Sequence, residues 1–205
     1  MSDNPFVVVD SEVSNYIKHD FKSGNWYNGT DILDANYFMV DPDTIKLGWS
    51  SYDVNTGYDE VWQDDIYTPI AKPTEEHKNA FFIWMLPKYI EGDKNITHRP
   101  MLWKRSSHAE YTGFMNMGRQ FFEASKLPEN KGKLPVLKHL RSEEIKYKSG
   151  FKSMTPLFEL VSFQDRPDTF VMPEQNLAGE ATLSPNEATS QPQSSPASLN
   201  DEIPF

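Results

Sequence analysis

The amino-acid composition changes at Met172, and this change limits what the chain can fold into. Residues 172–205 are rich in Ser, Pro, Gln, Asn and Ala, and they contain five acids but no Lys or Arg. Apolar residues there are few and scattered, so the stretch cannot bury enough surface to offset its loss of chain entropy. We therefore predict a disordered acidic tail over 172–205. Residues 1–171 then form one folded domain of ordinary size.

Most of this domain carries strand signals. Alternating residues in 44–52, followed by turn-forming residues and a second run at 58–66, predict a β-hairpin. The apolar run 79–86 predicts a central strand that ends at Pro87. Further strands are predicted at 7–9, 37–40, 101–104, 134–148 and 151–163. Pro156 interrupts the last of these, which favours an edge strand or a bulge.

One helix is predicted, over 107–126. Its apolar residues recur at mostly helical spacing, and Ser107 followed by Glu110 is a candidate capping box. Many short strands with one helix before the last hairpin predict a mainly β (α+β) fold. The best match is an OB-fold-like small barrel with a covering helix. A β-sandwich is the alternative, and the pattern leaves the strand order open.

Charge is distributed unevenly along the chain, whose formal net charge is −10. Residues 94–152 contain 13 of the 20 Lys and Arg residues and only five acids, so this segment is basic. An acidic protein can bind nucleic acid when its cations share one face. A solvated charged surface is the other interpretation of this segment.

Aromatic residues are interleaved with these cations, a combination that suits single-stranded nucleic acid. Rings stack on exposed bases, and cations track phosphates. The large rings that we assign to the core instead are Phe81, Phe82, Phe121, Phe122 and Phe163. The residues predicted to contact DNA are Trp49, Tyr52, Trp62, Trp103, Lys104, Arg105, Arg119, Lys146, Lys148 and Lys152.

Signatures of enzymes and metal sites are weak. The sequence contains no cysteine, no Gly-rich nucleotide loop and no His-Glu-x-x-His motif. Glu144-Ile145-Lys146 matches half of a nuclease motif. The Pro-Asp half upstream would be Pro42-Asp43, which is about a hundred residues away and on a predicted turn, so the match is weak. Four acids of the first hairpin could hold a divalent ion, although they look like an acidic surface: Asp59, Glu60, Asp64 and Asp65. We expect no enzyme activity, no cofactor and no bound metal.

The sequence ends in Asp201, Glu202, Ile203, Pro204 and Phe205, and these five residues form a candidate docking motif. An aromatic ring next to a free α-carboxylate is a compact ligand for an apolar pocket with a basic rim. The motif resembles the acidic C-terminal tip of bacterial single-stranded DNA-binding proteins. That resemblance implies docking of host or phage replication and repair proteins through the tip.

The resemblance covers only the tip, together with the general character of the tail. It implies a protein that coats single-stranded DNA during replication, recombination and repair, here in a divergent, bacteriophage-encoded form. The assembly and binding residues of that family are not carried over, and a homo-oligomer is possible. The alternative is a phage or plasmid protein that mimics the host tip to recruit or block host replication enzymes. The sequence shows no secretion signal and no apolar run of about 18 residues, so we expect a cytoplasmic protein without a membrane partner.

Overall fold

The computed structural model describes residues 15–172. The predicted strand at 7–9, the predicted tail beyond Met172 and the motif at 201–205 lie outside these residues. The described part contains eleven strands and one α-helix: β1 Tyr16–His19, β2 Trp26–Asn28, β3 Asp31–Ile32, β4 Tyr37–Val40, β5 Lys46–Asp53, β6 Gly57–Trp62, β7 Lys78–Glu91, β8 Lys94–Thr97, β9 Met101–Arg105, α1 His108–Phe121, β10 Leu134–Lys146 and β11 Lys152–Gln164. Within residues 15–172, no helix has the length and apolar character needed to cross a bilayer.

All eleven strands join one sheet, which is not closed. The strand order is β11-β10-β4-β7-β9-β1-β2-β3, with β5 and β8 pairing with opposite ends of β7, and β6 pairing with β5. The prediction of a mainly β fold with one helix is confirmed. The sheet does not close into a barrel, so the OB-fold assignment is not confirmed and stays a prediction.

The central strand β7 is longer than predicted. It continues through Pro87 to Glu91, so the prediction that Pro87 ends it is wrong. On one side β7 pairs with β9 as far as Met85 and then with β8 from Lys88. Pro87 lies in the gap between these two partners, where its missing N–H removes no ladder hydrogen bond.

The two predicted hairpins and the helix are present. β5 and β6 join at a turn that contains Gly57, whose φ of 82° suits glycine. β10 and β11 form the second hairpin, and Pro156 lies on β11 at the end of the strand order, as predicted for an edge strand. The Ser107 side chain accepts a hydrogen bond from Glu110 N at the start of α1, which confirms the cap. The helix ends at Phe121, earlier than predicted, and a 3₁₀ turn covers Ala124–Lys126.

The main core lies between the sheet and α1. Phe81 of β7 stacks on Phe114 of α1, with ring centroids 4.2 Å apart. Phe81 and Phe121 are buried, as predicted, whereas Phe82, Phe122 and Phe163 are only partly buried. Other members of this core include Ile17, Trp26, Phe38, Ile83, Met85, Trp103, Met117, Leu137 and Phe158.

A second, smaller cluster lies on the opposite side of the sheet. The segment after β11 returns over this side, and Phe170 packs with Trp84, Leu86 and Leu102. Phe170 is 2% exposed. The guanidinium of Arg166 lies 5.1 Å from the centroid of the Phe170 ring and bonds the nearly buried Asp41 carboxylate. The described chain therefore covers the middle of this side and leaves its flanks open.

Candidate nucleic-acid interface

The strand register determines which side chains point away from α1. Residues paired across neighbouring strands share a face, and residues next to each other along one strand lie on opposite faces. Phe81 and Trp103 pack on the α1 side, so the residues next to them along β7 and β9 lie on the opposite side. These residues are the pairs Lys104–Phe82 and Leu102–Trp84. We call this surface the lysine–aromatic face and define it by Lys18, Tyr27, Tyr37, Tyr52, Tyr58, Trp62, Lys104 and Lys138.

Three lysines of the lysine–aromatic face each lie over an aromatic ring of another strand. The distances from Nζ to the ring centroid are 5.7 Å for Lys18 over Tyr27, 5.5 Å for Lys104 over Trp62 and 5.9 Å for Lys138 over Tyr37. All three are within cation–π range. The face thus presents a cation beside a ring at three separate places.

The first hairpin adds an exposed aromatic pair to this face. Tyr52 and Tyr58 face each other across β5 and β6, with ring centroids 4.9 Å apart. They are 58% and 55% exposed. Exposed rings of this size provide flat platforms for planar ligands.

Trp62 lies on the same face of β6, beyond Glu60, and is partly buried. Its ring meets Phe82 edge to face at 5.0 Å. Gly48 on β5 gives the ring its place, because a Cβ there would be 3.0 Å from Trp62 Cε3 and 2.2 Å from the Val61 carbonyl oxygen. The small residue on β5 therefore positions a large ring on β6.

One carboxylate reduces the positive charge of the face. Glu60 Oε2 pairs with Lys104 Nζ at 2.5 Å, and both side chains are partly buried. Burial and the nearby Glu60 raise the pKa of Tyr16. Among the described residues, neither Lys18 nor Lys138 has a carboxylate within ion-pair distance. These two lysines supply the more available charge.

The prediction that Trp103 stacks on DNA is wrong. Trp103 is 0% exposed and belongs to the core on the α1 side of the sheet. Its indole Nε1 donates to Glu110 Oε1 at 3.3 Å, which satisfies the buried donor. It alternates along β9 with Lys104, and one step in register therefore separates a core residue from a surface residue.

Three other predicted residues do not reach the lysine–aromatic face. Trp49 lies on the α1 side of β5, partly buried, and donates its indole N–H to the Ile70 carbonyl at 3.1 Å. Arg105 also lies on that side and bridges to Glu110 at 3.2 Å. Arg119 is on α1 and donates to the Asn116 side chain. The structure therefore brings together only Tyr52, Trp62 and Lys104 of the predicted set.

The last three predicted residues lie at the tip of the β10–β11 hairpin. Lys146 and Lys152 are paired with each other in register, and both contact Glu144, at 3.6 and 3.0 Å. Lys148 lies in the connecting turn. Glu144 thus offsets part of the charge that the sequence pattern assigned to phosphate binding.

Sequence reasoning missed five residues of the face: Lys18, Tyr27, Tyr37, Tyr58 and Lys138. Lys18 and Tyr27 lie on β1 and β2, short strands that were not predicted. The alternation in Tyr16–His19, with Ile17 and His19 buried, is the local signal that could have found β1. Only the pairing of strands distant in sequence places each lysine over its ring.

A buried polar cluster supports the sheet on the α1 side. Glu110 Oε1 accepts hydrogen bonds from His19 N, Trp103 Nε1 and Arg105 Nε, and burial raises the pKa of this carboxyl. The Ser107 hydroxyl donates to Glu110 Oε2 at 2.8 Å. The start of α1 is therefore fixed to β1 and β9 through one side chain.

Two histidines next to this cluster share a serine. Ser142 Oγ donates to the Gly24 carbonyl at 2.8 Å and lies 2.8 Å from His19 Nε2 and 3.4 Å from His139 Nε2. Burial and the neighbouring His139 lower the pKa of His19 to about 4, and burial lowers the pKa of His139 to about 4. Both rings are neutral at pH 7. The Ser142 hydroxyl donates its proton to the Gly24 carbonyl, so the two rings lie beside its acceptor lone pairs.

The candidate nuclease and metal sites are not assembled. Pro42 and Asp43 lie in a 3₁₀ turn after β4, whereas Glu144 is near the far tip of β10, eight residues beyond the pairing of Val136 with Met39. Among the described residues, no three His, Cys, Asp or Glu side chains converge as metal ligands.

Three of the four candidate acids in and after the first hairpin have other partners. Asp59 lies 3.4 Å from His77 Nε2, Glu60 pairs with Lys104, and Asp65 accepts from the backbone of Tyr67 and Thr68.

Comparisons with protein-family models, with curated proteins and with solved structures find no match to this chain.

Proposed function

We propose that this protein binds and protects single-stranded DNA through the lysine–aromatic face, during DNA replication, recombination and repair. One observation carries the proposal: three lysine ammonium groups each lie over an aromatic ring on the same face of the sheet. Each such pair offers a ring for a base and a cation for the adjoining phosphate.

The chemistry favours single strands over duplex. The bases of a duplex are stacked inside the helix, so rings on a sheet face cannot reach them, whereas unpaired bases can splay onto the rings. The face contacts ring surfaces and phosphates, which every nucleotide has, and therefore gives little sequence preference. Counterion release by Lys18 and Lys138 makes the affinity fall as salt rises.

The test of this proposal is a titration of the full chain with oligo-dT, oligo-rU and a DNA duplex, monitored by intrinsic Trp fluorescence. We expect oligo-dT to quench the emission and to bind much more tightly than duplex. Equal affinity for both would contradict the proposal. Absence of binding to all three would favour the alternative, a body that only carries a tail mimicking the host tip.

A matched pair of tyrosines localises the binding. Tyr58 is 55% exposed on the face, and Tyr67 is 71% exposed in the loop after β6, 6.1 Å from Phe122 near the end of α1. We expect Tyr58→Ala to weaken oligo-dT binding by about 1 kcal/mol, the low end for one stacked base. Tyr67→Ala is the control and should bind as the unmodified chain does. Equal effects of both changes would place the DNA elsewhere.

We further propose that the motif at 201–205 docks replication and repair proteins, on the strength of the resemblance described above. The ring of Phe205 would fill an apolar pocket while the α-carboxylate meets a basic group. Phe205→Ala, or one residue added after it, should abolish binding to a bacterial exonuclease or helicase that reads such tips. DNA binding by these variants should be unchanged. Calorimetry that shows full binding by the extended variant would contradict this assignment.

A further inference from the structure

The tip of the β10–β11 hairpin carries a second group of rings and cations. The Phe151 ring lies 5.8 Å from Tyr147 and 6.0 Å from Phe21, between centroids, and Tyr147 lies 5.8 Å from His108. Lys22 Nζ is 5.6 Å from the Phe21 centroid. We define the hairpin-tip patch as Phe21, Lys22, His108, Tyr147, Lys148 and Phe151.

Backbone hydrogen bonds connect the segments that carry this patch. The Phe21 carbonyl accepts a hydrogen bond from Met154 N at 2.7 Å, which ties the loop between β1 and β2 to β11. The Tyr147 amide donates to the Phe151 carbonyl at 2.9 Å and closes the turn. The backbone that carries the rings is therefore held by hydrogen bonds before any ligand arrives, which lowers the entropic cost of binding.

The patch nevertheless leaves its apolar surface open. Phe151 is 49% exposed. It immediately follows a turn in which Gly150 has a φ of 84°. A phenylalanine in such a turn gains little from burial, since half of its surface stays in water. Its exposed ring is available to a planar ligand.

The cations of the patch are more available than those on the neighbouring β10 and β11. Among the described residues, neither Lys22 nor Lys148 has a carboxylate within ion-pair distance, whereas Lys146 and Lys152 share Glu144. Lys22 lies over Phe21, which neighbours the exposed Phe151 ring, and Lys148 lies in the turn just before Phe151. A ring with two such lysines nearby suits a base with its adjoining phosphates.

We propose that the hairpin-tip patch is a second contact for the same DNA strand, with one base on Phe151 and the flanking phosphates on Lys22 and Lys148. This inference rests on the proposed function of the lysine–aromatic face. Along β10, Lys146 at the tip is eight residues beyond Lys138 of the face, which is roughly 26 Å at strand spacing. The patch also contains His108 at the start of α1, so a strand that begins on the face opposite the helix must pass around the edge of the sheet. At about 3.4 Å per stacked nucleotide it therefore needs more than about 8 nucleotides to reach from one contact to the other.

The test compares two oligo-dT lengths, about 4 and about 16 nucleotides, which bracket the usual site size. The tip variant of the full chain carries Lys148→Ala and Phe151→Ala. The control variant carries Tyr67→Ala and Lys72→Ala, a ring and a lysine that belong to neither surface. We expect the tip variant to bind the short oligonucleotide as the unmodified chain does. Its affinity for the long one should fall roughly tenfold, and its salt slope should decrease by about one unit.

The outcomes separate this inference from the proposed function. If the unmodified chain binds both lengths and the tip variant matches it on the long one, the second contact is wrong while the face stands. Equal losses on both lengths would also overturn it, because the tip would then not be a separate contact. If the unmodified chain binds neither length, both proposals fail.

A second measurement places the strand directly. Phe151→Trp introduces a fluorophore at the tip, and the emission of the unmodified chain is subtracted as the reference. The added emission should be quenched by the long oligonucleotide and not by the short one. Quenching by neither, with binding of the long oligonucleotide intact, would overturn the assignment of Phe151.

Discussion

The two faces of the sheet use the same residue types in opposite ways. On the α1 side, Trp26, Phe81 and Trp103 are buried within a continuous aromatic core, and the lysine closest to it by sequence, Lys104, points away. On the other side, Tyr52, Tyr58 and Trp62 keep surface exposed, and the lysines lie over rings. The helix α1 covers the first face and makes it a core, whereas the described chain covers only the middle of the second face and leaves its flanks as a candidate binding surface.

The comparison shows why residue type alone does not identify a ligand-binding aromatic. Trp62 and Trp103 are both tryptophans on strands, and each has charged residues within two positions in the sequence. Their difference is the side of the sheet on which each lies and what covers that side. Each of the following predictions breaks or sharpens this contrast, from the largest expected effect to the smallest.

Trp103→Ala should have the largest effect. Removing this fully buried ring should lower the free energy of unfolding by about 3–5 kcal/mol through lost contacts and a cavity. Oligo-dT affinity per folded molecule should not change, since the ring faces α1. Chemical denaturation together with titration of the folded fraction measures both quantities. A stable variant with lost DNA binding would return Trp103 to the binding surface.

Phe170→Ala should be the next largest. The ring is 2% exposed and anchors the segment that covers the middle of the open side. We expect a loss of about 3 kcal/mol in the free energy of unfolding, at the low end for Phe→Ala because the cluster is small. Deleting 172–205 is the matched control, and the predicted disorder of that tail implies unchanged unfolding. Equal losses in both variants would contradict the domain boundary at 171.

Acid should destabilise the α1 side through His19 and His139. Their folded-state pKa values are lowered to about 4, whereas unfolded histidine titrates near 6.5, so only the unfolded chain takes up these protons between the two values. Stability present above pH 6.5 is therefore lost as the pH falls toward 4. One histidine contributes roughly 3 kcal/mol, and the two are coupled, so their effects do not add.

Denaturation at pH 7 and pH 5 measures this loss, and His139→Asn should reduce it. The raised pKa of Glu110 works in the opposite direction, because it favours the folded state when the carboxyl is protonated. A stability that rises between pH 6.5 and pH 5 would show that Glu110 outweighs the histidines.

Trp62→Ala should weaken DNA binding, whereas Trp103→Ala should lower the free energy of unfolding. Loss of this platform should weaken oligo-dT binding by about 1–3 kcal/mol at any salt concentration. Because Trp62 is only partly buried, unfolding should be affected less than by the Trp103 change. Binding curves at two salt concentrations test this prediction. Unchanged affinity would remove the first hairpin from the interface.

Lys138→Ala should give the smallest effect. This lysine lies over Tyr37 without a carboxylate partner among the described residues, so its removal should lower the salt slope by about one unit. Lys104→Ala should change the slope less, because Glu60 already offsets its charge and is left unpaired by the change. A larger slope change for Lys104 would mean that Glu60 moves away when DNA binds.

The sequence by itself determined the local elements. Period-two alternation predicted the β5–β6 hairpin and β10–β11, and the cap at Ser107 predicted the start of α1. These signals depend on residues close in the chain, so they can be read without knowing the fold. Short strands such as β1 and β2 gave too few residues for a pattern to be recognised.

Only the tertiary structure decided which side chains share a surface. Tyr37 meets Lys138 because β4 pairs with β10, about a hundred residues further along the chain, and Trp62 meets Lys104 across β5 and β7. Strand order and register set these neighbours, and a shift of one residue would exchange Lys104 for Trp103. Long-range pairing is the sum of many weak contacts, so no local pattern contains it.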